Sequence, residues 1–396
     1  MKEGWIKKRI DEVCSIARGG SPRPIKDYIT NDSNGLNWIK IGDTDMGGKY
    51  IYSTKEKIKP EGLKKSRWVE EDEFLLSNSM SFGRPYILKT NGCIHDGWLV
   101  LREYQKYLNI DFFYYVLSSE YVQRQFRTKA QGSTVSNLNT DRVASVTIPV
   151  PPLSEQQSIV DYLDSAFAKI DAMKANAEKA LNEAKALFQA SLKEMLEPKE
   201  GWEEKILQDI CSEIVDCPHT TPPKVSFPTQ YPCIRTSELK GGCIDWSTMQ
   251  YLDENEYLKR VSRLVPKAND IVYGREGTYG DAVLLPEGYN FSLGQRTMLL
   301  RPNEIYIIPR FLLYSMISSH VYQQAKAKNS GCGVGHVNVK DIKLFKIGIP
   351  TIFIQQSIVT TLDSLKSKVD RLQENYDNIS QECDALKQAI LRQVFE

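Results

Sequence analysis

The chain has 396 residues, of which 41% are hydrophobic and 26% charged, and its formal net charge is +1. This length predicts about two or three domains with their own cores. No apolar run approaches the roughly 18 residues of a membrane helix, and the first residues lack the apolar core of a secretory signal, so we expect a cytoplasmic protein. The eight cysteines and four histidines show no metal-type spacing, so we expect reduced thiols and no metal site.

Residues 1–150 carry short apolar runs that are broken by glycine, proline and asparagine. Runs such as those at 38–41 and 74–76 are typical of short strands. Residues 111–125 place aromatic and aliphatic side chains at helical spacing, which indicates a helix that packs on such a sheet. We therefore expect residues 1–150 to form one α/β domain.

The apolar residues of the next segment, 151–200, follow a heptad that is thinned by alanines. Small residues let a second helix approach closely, and Pro151-Pro152 precede the pattern. We expect a central helix of about 40 residues, roughly 60 Å long. The seam positions expected to pair it with another helix are Ile159, Leu163, Ile170 and Met173.

The chain then repeats itself. Gly4-Trp5 returns as Gly201-Trp202, and the sequence of residues 156–160 returns unchanged at 355–359. Matches in the same order and at a nearly constant spacing indicate an internal duplication. We therefore expect residues 201–350 to form a second α/β domain and residues 351–396 to form a second long helix.

The heptad of residues 351–396 alternates steps of four and three without proline or glycine, which is typical of a coiled coil. Two related helices in one chain can pair antiparallel, and that pairing gives the chain an approximate two-fold axis. The alternative is that each helix supports only its own domain. The expected seam positions are Ile358, Leu362, Leu365, Val369, Leu372, Ile379 and Leu386.

Charge follows the same division into four segments. Residues 1–150 and 201–350 carry five and one more basic than acidic side chains, whereas the two helical segments are acidic by three and two. This distribution fits partial DNA contact by the two α/β domains. Two similar domains on a rigid spacer favour a reader of two separated DNA sites, and their different sequences predict two different half-sites.

In this order of segments, three motifs stand out. They are Pro-Pro-Leu-Ser-Glu-Gln-Gln at 151–157, Ile-Lys-Ile-Gly-Asp at 39–43 and Gly-Ser-Thr at 132–134. With them the chain resembles, over essentially its whole length, the specificity subunits of type I restriction–modification systems. The second copy departs from the proline motif, reading Pro-Thr-Ile-Phe-Ile-Gln-Gln at 350–356.

The resemblance implies a function and a fold. The fold is α+β: a duplicated, pseudo-two-fold chain with two α/β target recognition domains separated by two long antiparallel coiled-coil helices. Each domain would read one half of a bipartite, asymmetric target in double-stranded DNA. The helices would dock two methyltransferase subunits, and restriction (translocase and nuclease) subunits would complete the complex.

The resemblance also implies that the chain is not itself an enzyme and binds no cofactor. The complex would be a site-specific DNA adenine methyltransferase and ATP-dependent endonuclease, whose partner subunits bind the methyl donor and ATP. In agreement, neither Pro-Pro pair fits the Asn/Asp-Pro-Pro-Tyr/Phe methyltransferase motif, and the sequence has no phosphate-binding loop. The alternatives are a stand-alone sequence-specific DNA-binding regulator and a coiled-coil scaffold without a DNA role.

DNA contacts are expected from polar, glycine-rich loops that align between the two α/β domains, since such loops contact phosphates and base edges. The candidates in the first domain are Arg18, Gly19, Ser21, Arg23, Ser79, Ser81, Arg84, Gly132, Ser133, Thr134, Asn137 and Asn139. Those in the second domain are His219, Thr220, Thr221, Arg275, Thr278, Tyr279, Gln295, Arg296, Gly333, His336 and Asn338.

Overall fold

The computed structural model describes residues 4–44, 48–78, 83–130, 138–277, 279–328 and 335–396. The chain divides into two compact units. Unit 1 consists of Met1–Ala177 and Asp377–Glu396, and unit 2 consists of Glu178–Tyr376. Two long helices, α4 (Leu153–Leu196) and α10 (Ile352–Phe395), each contribute one half to each unit.

In unit 1, strands pair into two larger sheets of mixed direction and one short antiparallel ribbon. The strands are β1 (Ile6–Arg9), β2 (Ser15–Arg18), β3 (Ile29–Thr30), β4 (Leu36–Ile39), β5 (Tyr50–Ile51), β6 (Glu56–Ile58), β7 (Arg67–Val69), β8 (Phe74–Ser77), β9 (Pro85–Leu88), β10 (Gly92–Ile94), β11 (Trp98–Arg102) and β12 (Thr147–Val150). The helices are α1 (Ile110–Ser118), α2 (Glu120–Ala130) and α3 (Thr140–Ala144). The sheet orders are β3-β6-β4-β10-β7, β2-β11-β8-β9-β5 and β1-β12.

Unit 2 follows a similar plan with shorter sheets. Its strands are β13 (Glu203–Ile206), β14 (Cys211–Asp216), β15 (Pro232–Ile234), β16 (Leu239–Lys240), β17 (Cys243–Ile244), β18 (Gln250–Tyr251), β19 (Ile271–Gly274), β20 (Ala282–Leu284), β21 (Ser292–Leu293), β22 (Thr297–Pro302) and β23 (Lys346–Ile349). Its helices are α5 (Leu207–Ile210), α6 (Glu254–Arg260), α7 (Pro309–Met316), α8 (Ser319–Ala327) and α9 (Val339–Ile342). The sheet orders are β14-β22-β19-β20, β18-β15-β21, β16-β17 and β13-β23.

The core of unit 1 forms where β8 packs against α1. All four residues of β8 are buried, which accounts for its continuous apolar run, because a strand covered on both faces does not alternate with polar residues. Phe74 contacts Phe113 and Tyr104 edge-on, with ring centroids 4.9 and 5.1 Å apart. The corresponding aromatic core of unit 2 contains Tyr273 and Phe311, both fully buried. The aromatics at helical spacing therefore serve packing.

Within each unit, α4 and α10 pack antiparallel. In unit 1, Lys387 Nζ lies 5.4 Å from the ring centroid of Phe167, and Cys383 Sγ donates to the carbonyl of Ile170 at 3.7 Å. In unit 2, Lys185 Nζ donates to Gln373 Oε1 at 2.8 Å. Residue numbers rise along α4 while they fall along α10, as the heptad pairing predicts.

Most expected seam positions lie in this helix contact, and two do not. The residues that the structure buries are Ile159, Leu163, Ile170, Ile358, Leu362 and Val369, and those it half-buries are Leu365, Leu372 and Ile379. Met173 and Leu386 are 58% and 47% exposed, so the expected register is wrong at these positions. A helix with 3.6 residues per turn drifts from a strict heptad. Beyond Ile170, α4 buries Leu181 and Phe188, and the ring centroid of Phe188 lies 6.3 Å from that of Tyr314 in α7.

The duplicated glutamine of the Gln-Gln motif attaches each long helix to its sheet-bearing part. Gln156 is fully buried; its Oε1 accepts from the backbone N–H of Asn109 at 2.8 Å, and its Nε2 donates to the carbonyls of Tyr107 and Pro151, each at 2.9 Å. Since both ends of the amide are satisfied, its burial costs little.

Gln355 repeats this arrangement in unit 2. Its Oε1 accepts from the N–H of Ile308 at 2.8 Å, and its Nε2 donates to the carbonyls of Tyr306 and Pro350 at 2.9 and 3.0 Å. A second duplicated bond lies about two turns of helix further on, where the hydroxyl of Tyr314 donates to Asp363 as that of Tyr115 donates to Asp164. The sequence repeat thus preserves a set of helix-anchoring hydrogen bonds.

Candidate nucleic-acid interface

In unit 1, the candidate loop after β2 is held by the turn between β10 and β11. The Oγ of Ser21 donates to Asp96 Oδ1 at 2.6 Å, and a guanidinium nitrogen of Arg23 lies 3.3 Å from Asp96 Oδ2. The backbone carbonyl of Asp96 accepts from Arg18 Nε at 3.2 Å and from Asn78 Nδ2 at 2.8 Å. Asp96 therefore joins three segments, and the Ser21 hydroxyl that donates to it holds the pKa of this carboxyl below its usual value.

Gly19 has a structural reason for being glycine. A Cβ at this position would lie 2.1 Å from the carbonyl oxygen of His95, and the Gly19 N–H donates to the carbonyl of Trp98 at 2.9 Å. The two segments of the chain approach each other so closely that no side chain fits at this position. Gly19 thus positions the loop, and the exposed side chains of Arg18 and Arg23 are the groups it presents.

The other unit 1 candidates divide between structural and exposed positions. Asn139 Oδ1 accepts from the N–H of Arg142 at 2.9 Å, so it caps α3. Arg84 is exposed, directly before β9. The candidates that lie outside the described residues are Ser79, Ser81, Gly132, Ser133, Thr134 and Asn137.

In unit 2, the candidates gather around Asp216 at the end of β14. Arg275 Nε donates to Asp216 Oδ1 at 3.0 Å, and His219 Nε2 lies 3.3 Å from Asp216 Oδ2. On the other side of the guanidinium, Arg275 Nη1 lies 3.5 Å from His336 Nδ1. Arg275 is only 5% exposed, so its guanidinium serves mainly to hold these loops together.

A second set of bonds extends this cluster. Gln295 Nε2 donates to the carbonyl of His219 at 2.8 Å, and its Oε1 accepts from Thr221 Oγ1 at 3.1 Å. Arg296 is 53% exposed at its side chain and lies 3.6 Å from Glu276 Oε1. The structure thus brings candidates from four separate segments together, and they present the exposed polar groups of His219, Thr221 and Arg296.

The two clusters are anchored by equivalent backbone hydrogen bonds. The N–H of Leu138 donates to the carbonyl of Asn78 at 3.0 Å in unit 1, and the N–H of Val337 donates to the carbonyl of Arg275 at 2.9 Å in unit 2. Both carbonyls lie directly after a core strand, β8 or β19. Loops from different parts of the sequence are therefore tied to the same strand end in each unit, which is the arrangement a composite DNA-reading surface needs.

A family model described as "Type I restriction modification DNA specificity domain" matches residues 2–183 and, again, residues 199–381. The chain belongs to this family. Members are specificity subunits, which are not catalytic themselves. The double match corresponds to the internal duplication, so the chain carries two specificity domains.

Specificity subunits also resemble the chain over nearly its full length. The EcoBI subunit of Escherichia coli is 23% identical, with 99% of this chain and 86% of that protein aligned, and the MjaVIII subunit of Methanocaldococcus jannaschii is 22% identical, with 93% and 87% aligned. A chain from a study of complex assembly and conformational transition of the type I R-M system matches with a TM-score of 0.74 at 18% identity, covering 99% of this chain and 97% of that one. The HsdS subunit of Thermoanaerobacter tengcongensis matches with a TM-score of 0.56 at 19% identity, covering 100% and 97%. These structures share the fold.

Two specificity-domain candidates of unit 2 have structural surroundings that the sequence does not reveal. Tyr279 stacks on Tyr322 with ring centroids 5.8 Å apart and planes 9° from parallel. The adjacent Gly280 has φ +100°, and a Cβ there would lie 2.7 Å from the Tyr322 ring. Asn338 precedes α9, and its Oδ1 lies 3.3 Å from His336 Nε2. Thr278 and Gly333 lie outside the described residues.

Sequence reasoning missed Arg260, which fixes one specificity-domain loop from beneath. Its buried guanidinium donates to the carbonyls of Leu293 at 2.9 Å, Thr220 at 3.1 Å and Pro218 at 3.4 Å. All three acceptors are backbone groups, so no partner side chain in the sequence signals this role. Thr220 is thereby placed through its carbonyl, and its neighbour Thr221 extends from the fixed loop.

Neither metal-binding nor membrane-spanning features occur in the part of the chain that the structure describes. No group of three or more His, Cys, Asp and Glu residues could hold a metal ion there. No described helix is both long and apolar enough to cross a membrane. Burial raises the pKa of the Cys14 and Cys211 thiols to about 12, so these residues are protonated packing groups.

His95 makes the stability of unit 1 depend on pH. Burial lowers the pKa of its imidazole below the ordinary 6.5. The N–H groups of Gly97 and Ile41 point at its Nδ1 and Nε2 from 2.7 and 3.2 Å. A neutral ring accepts one of these bonds and a protonated ring accepts neither. The folded state thus binds this proton less tightly than the unfolded state. The stability that is present above pH 6.5 is therefore lost as the pH falls through the lower pKa that His95 has in the folded state.

We expect the free energy of unfolding of the wild type to decrease as the pH falls below about 6.5, and His95→Gln to flatten this dependence. Urea unfolding at a series of pH values measures it. Lys64→Gln, at an exposed position of the same unit, is the matched control for the introduction of a glutamine. An unaltered slope in His95→Gln would contradict the assignment.

Proposed function

We propose that this chain reads a bipartite, asymmetric sequence in double-stranded DNA for a type I restriction–modification complex. Residues 1–150 and 201–350 are the two target recognition domains, and residues 151–200 and 351–396 form the coiled-coil spacer. The observation that carries this proposal is the pair of loop clusters, each tied to a core strand end, in a chain that matches the specificity family twice. The clusters differ in side chains, so each reads its own half-site.

The candidate residues contribute in two ways. Exposed cations and hydroxyls contact phosphates and base edges, and buried groups such as Gly19 and Arg275 hold the loops that present them. The proposed contacts within the described residues are Arg18, Ser21, Arg23, Arg84, His219, Thr221, Tyr279, Arg296, His336 and Asn338. The proposed contacts outside the described residues are Ser79, Ser81, Gly132, Ser133, Thr134, Asn137, Thr278 and Gly333.

The paired helices dock two methyltransferase subunits, and restriction subunits complete the nuclease form of the complex in the cytoplasm. The small excess of basic residues in each recognition domain supports this division of labour, because tight DNA binding then needs cationic surface from the partners. The methyl donor and ATP bind the partner subunits, and the present chain supplies the sequence preference alone.

A genome-wide map of N6-methyladenine tests the proposal. A methylation-free host would express this chain together with its methyltransferase subunit, and two control hosts would express each protein alone. We expect one split, asymmetric motif that is methylated only when both proteins are present. Absence of a motif from a folded, co-purifying pair would refute the proposal.

A further inference from the structure

An apolar-walled groove opens on unit 1 beside the loop that follows β2. Its walls are Pro22, Pro24, Ile25, Ile29 and Trp38, and it encloses about 910 Å³. Trp38 belongs to β4 and is buried. Ile25 and Ile29 pack against its cluster, and each remains half-exposed. The groove is therefore lined by apolar surface whose position is fixed by a core cluster.

The rim of this groove is polar, and its cations Arg23 and Lys40 are each paired with a carboxylate, that of Asp96 or Glu56. Arg23 is 80% exposed at its side chain, and Lys40 Nζ lies 2.7 Å from Glu56 Oε1. The exposed Arg67 lies next to the rim loop, where its Nε donates to the carbonyl of Arg18 at 2.6 Å. Cations beside an apolar wall complement a ligand that carries both phosphates and an apolar edge, which describes duplex DNA better than an apolar peptide.

Unit 2 has a groove at the equivalent place with a different lining. Lys40 follows β4, and its N–H donates to Asp43 Oδ2 at 2.8 Å; Arg235 follows β15, and its N–H donates to Glu238 Oε2 at 2.7 Å. The unit 2 groove beside Arg235 encloses about 250 Å³. Its lining is mainly polar and consists of Thr221, Pro222, Arg235, Thr236, Ser237, Gln250, Gln295 and Arg296. The two domains therefore offer different chemistry at one shared position.

We propose that the unit 1 groove receives the 5-methyl group of a thymine in the half-site that this domain reads. The inference rests on the proposed function and names one base for it. The thymine methyl is the apolar feature that base edges present in the major groove. A cytosine in its place would present only a C5–H group at the position of the methyl, so the apolar contact with Ile25 and Ile29 would be lost.

Replacing thymine with uracil removes the methyl group and leaves the base pair intact. The half-site that belongs to unit 1 is first identified in the methylation map as the one altered by Arg23→Ala. The complex with methyltransferase subunits is then titrated with duplexes in which each thymine of that half-site is replaced in turn. We expect one position at which uracil weakens binding about fourfold, as the loss of one buried methyl predicts. Uracil in the other half-site should change binding less than about twofold.

The variant Ile25→Thr replaces the ethyl arm of a wall isoleucine with a hydroxyl, which makes the side chain shorter and polar. We expect it to reduce the preference for thymine over uracil to below about twofold, while binding of the uracil duplex stays near that of the wild type. Ile305→Thr, at a 78% exposed position of unit 2 outside the proposed contacts, is the matched control and should keep the fourfold preference.

The inference is overturned if the unit 1 half-site has no thymine at a required position, if uracil binds as tightly as thymine, or if Ile25→Thr keeps the preference. Each of these outcomes leaves a bipartite motif in the methylation map, so the proposed function would stand. Loss of the motif itself would refute the proposed function instead.

Discussion

Replacing Gln355 with leucine lowers the free energy of unfolding by about 4 kcal/mol, because buried partners are left without hydrogen bonds. Leucine fills a similar volume, so the change removes polar groups without a large cavity. The N–H of Ile308 and the carbonyls of Tyr306 and Pro350 lose their bonds to the Gln355 amide, which is fully buried. Each unsatisfied buried group costs roughly 1–3 kcal/mol.

Urea unfolding of the purified chain measures this loss. The neighbouring Gln356 is exposed, so Gln356→Leu is a matched control that should change stability by less than about 0.5 kcal/mol. Gln156→Leu should repeat the effect of Gln355→Leu, since the two amides make equivalent bonds. Equal stability of the Gln355 and Gln356 variants would show that the buried amide does not anchor the helix.

Asp216→Ala is expected to abolish reading of the unit 2 half-site and to destabilise the chain by about 3–5 kcal/mol. The substitution leaves the guanidinium of Arg275, which is 5% exposed, without its carboxylate partner at 3.0 Å. The substitution also removes the carboxylate oxygen that lies 3.3 Å from His219 Nε2. Two loops therefore lose their common anchor while a buried charge becomes unpaired.

A double variant separates stability from recognition. Asp216→Ala combined with Arg275→Met removes both charges and should recover most of the stability. The double variant should not recover recognition of the unit 2 half-site, because the loops stay unanchored. The methylation map and urea unfolding are the two measurements, and Asp209→Ala, at an exposed position of the same unit, serves as the control. Full recognition by the double variant would show that the ion pair does not position the loops.

The sequence alone predicts the duplication and the long helices because these depend on local periodicity. Heptads and repeated motifs are visible without knowledge of tertiary contacts. The register of the seam is less predictable. Whether Met173 faces α10 depends on how α4, with 3.6 residues per turn, drifts from a strict heptad, and that drift depends on tertiary packing that no local pattern shows.

The candidate site could be predicted only in part. Glycine-rich, polar loops that align between the halves indicated Arg18, Ser21 and Arg296; the structure leaves Arg18 and Arg296 exposed and half-buries Ser21. Asp96 and Arg260 were missed, because their partners are carbonyls or loops far away in sequence. An ordinary acidic or basic residue gives no local pattern when its role is to hold a distant backbone.

We propose above all that each α/β domain reads its own half-site independently, on a pseudo-two-fold spacer. A chimera tests this most directly: residues 201–349 are replaced by a second copy of residues 4–150. The junctions fall at the equivalent ribbons β1-β12 and β13-β23. Co-expressed with its methyltransferase subunit, the chimera should methylate a palindromic motif that contains the unit 1 half-site twice in inverted orientation. A folded chimera that still methylates the original asymmetric motif would contradict the account.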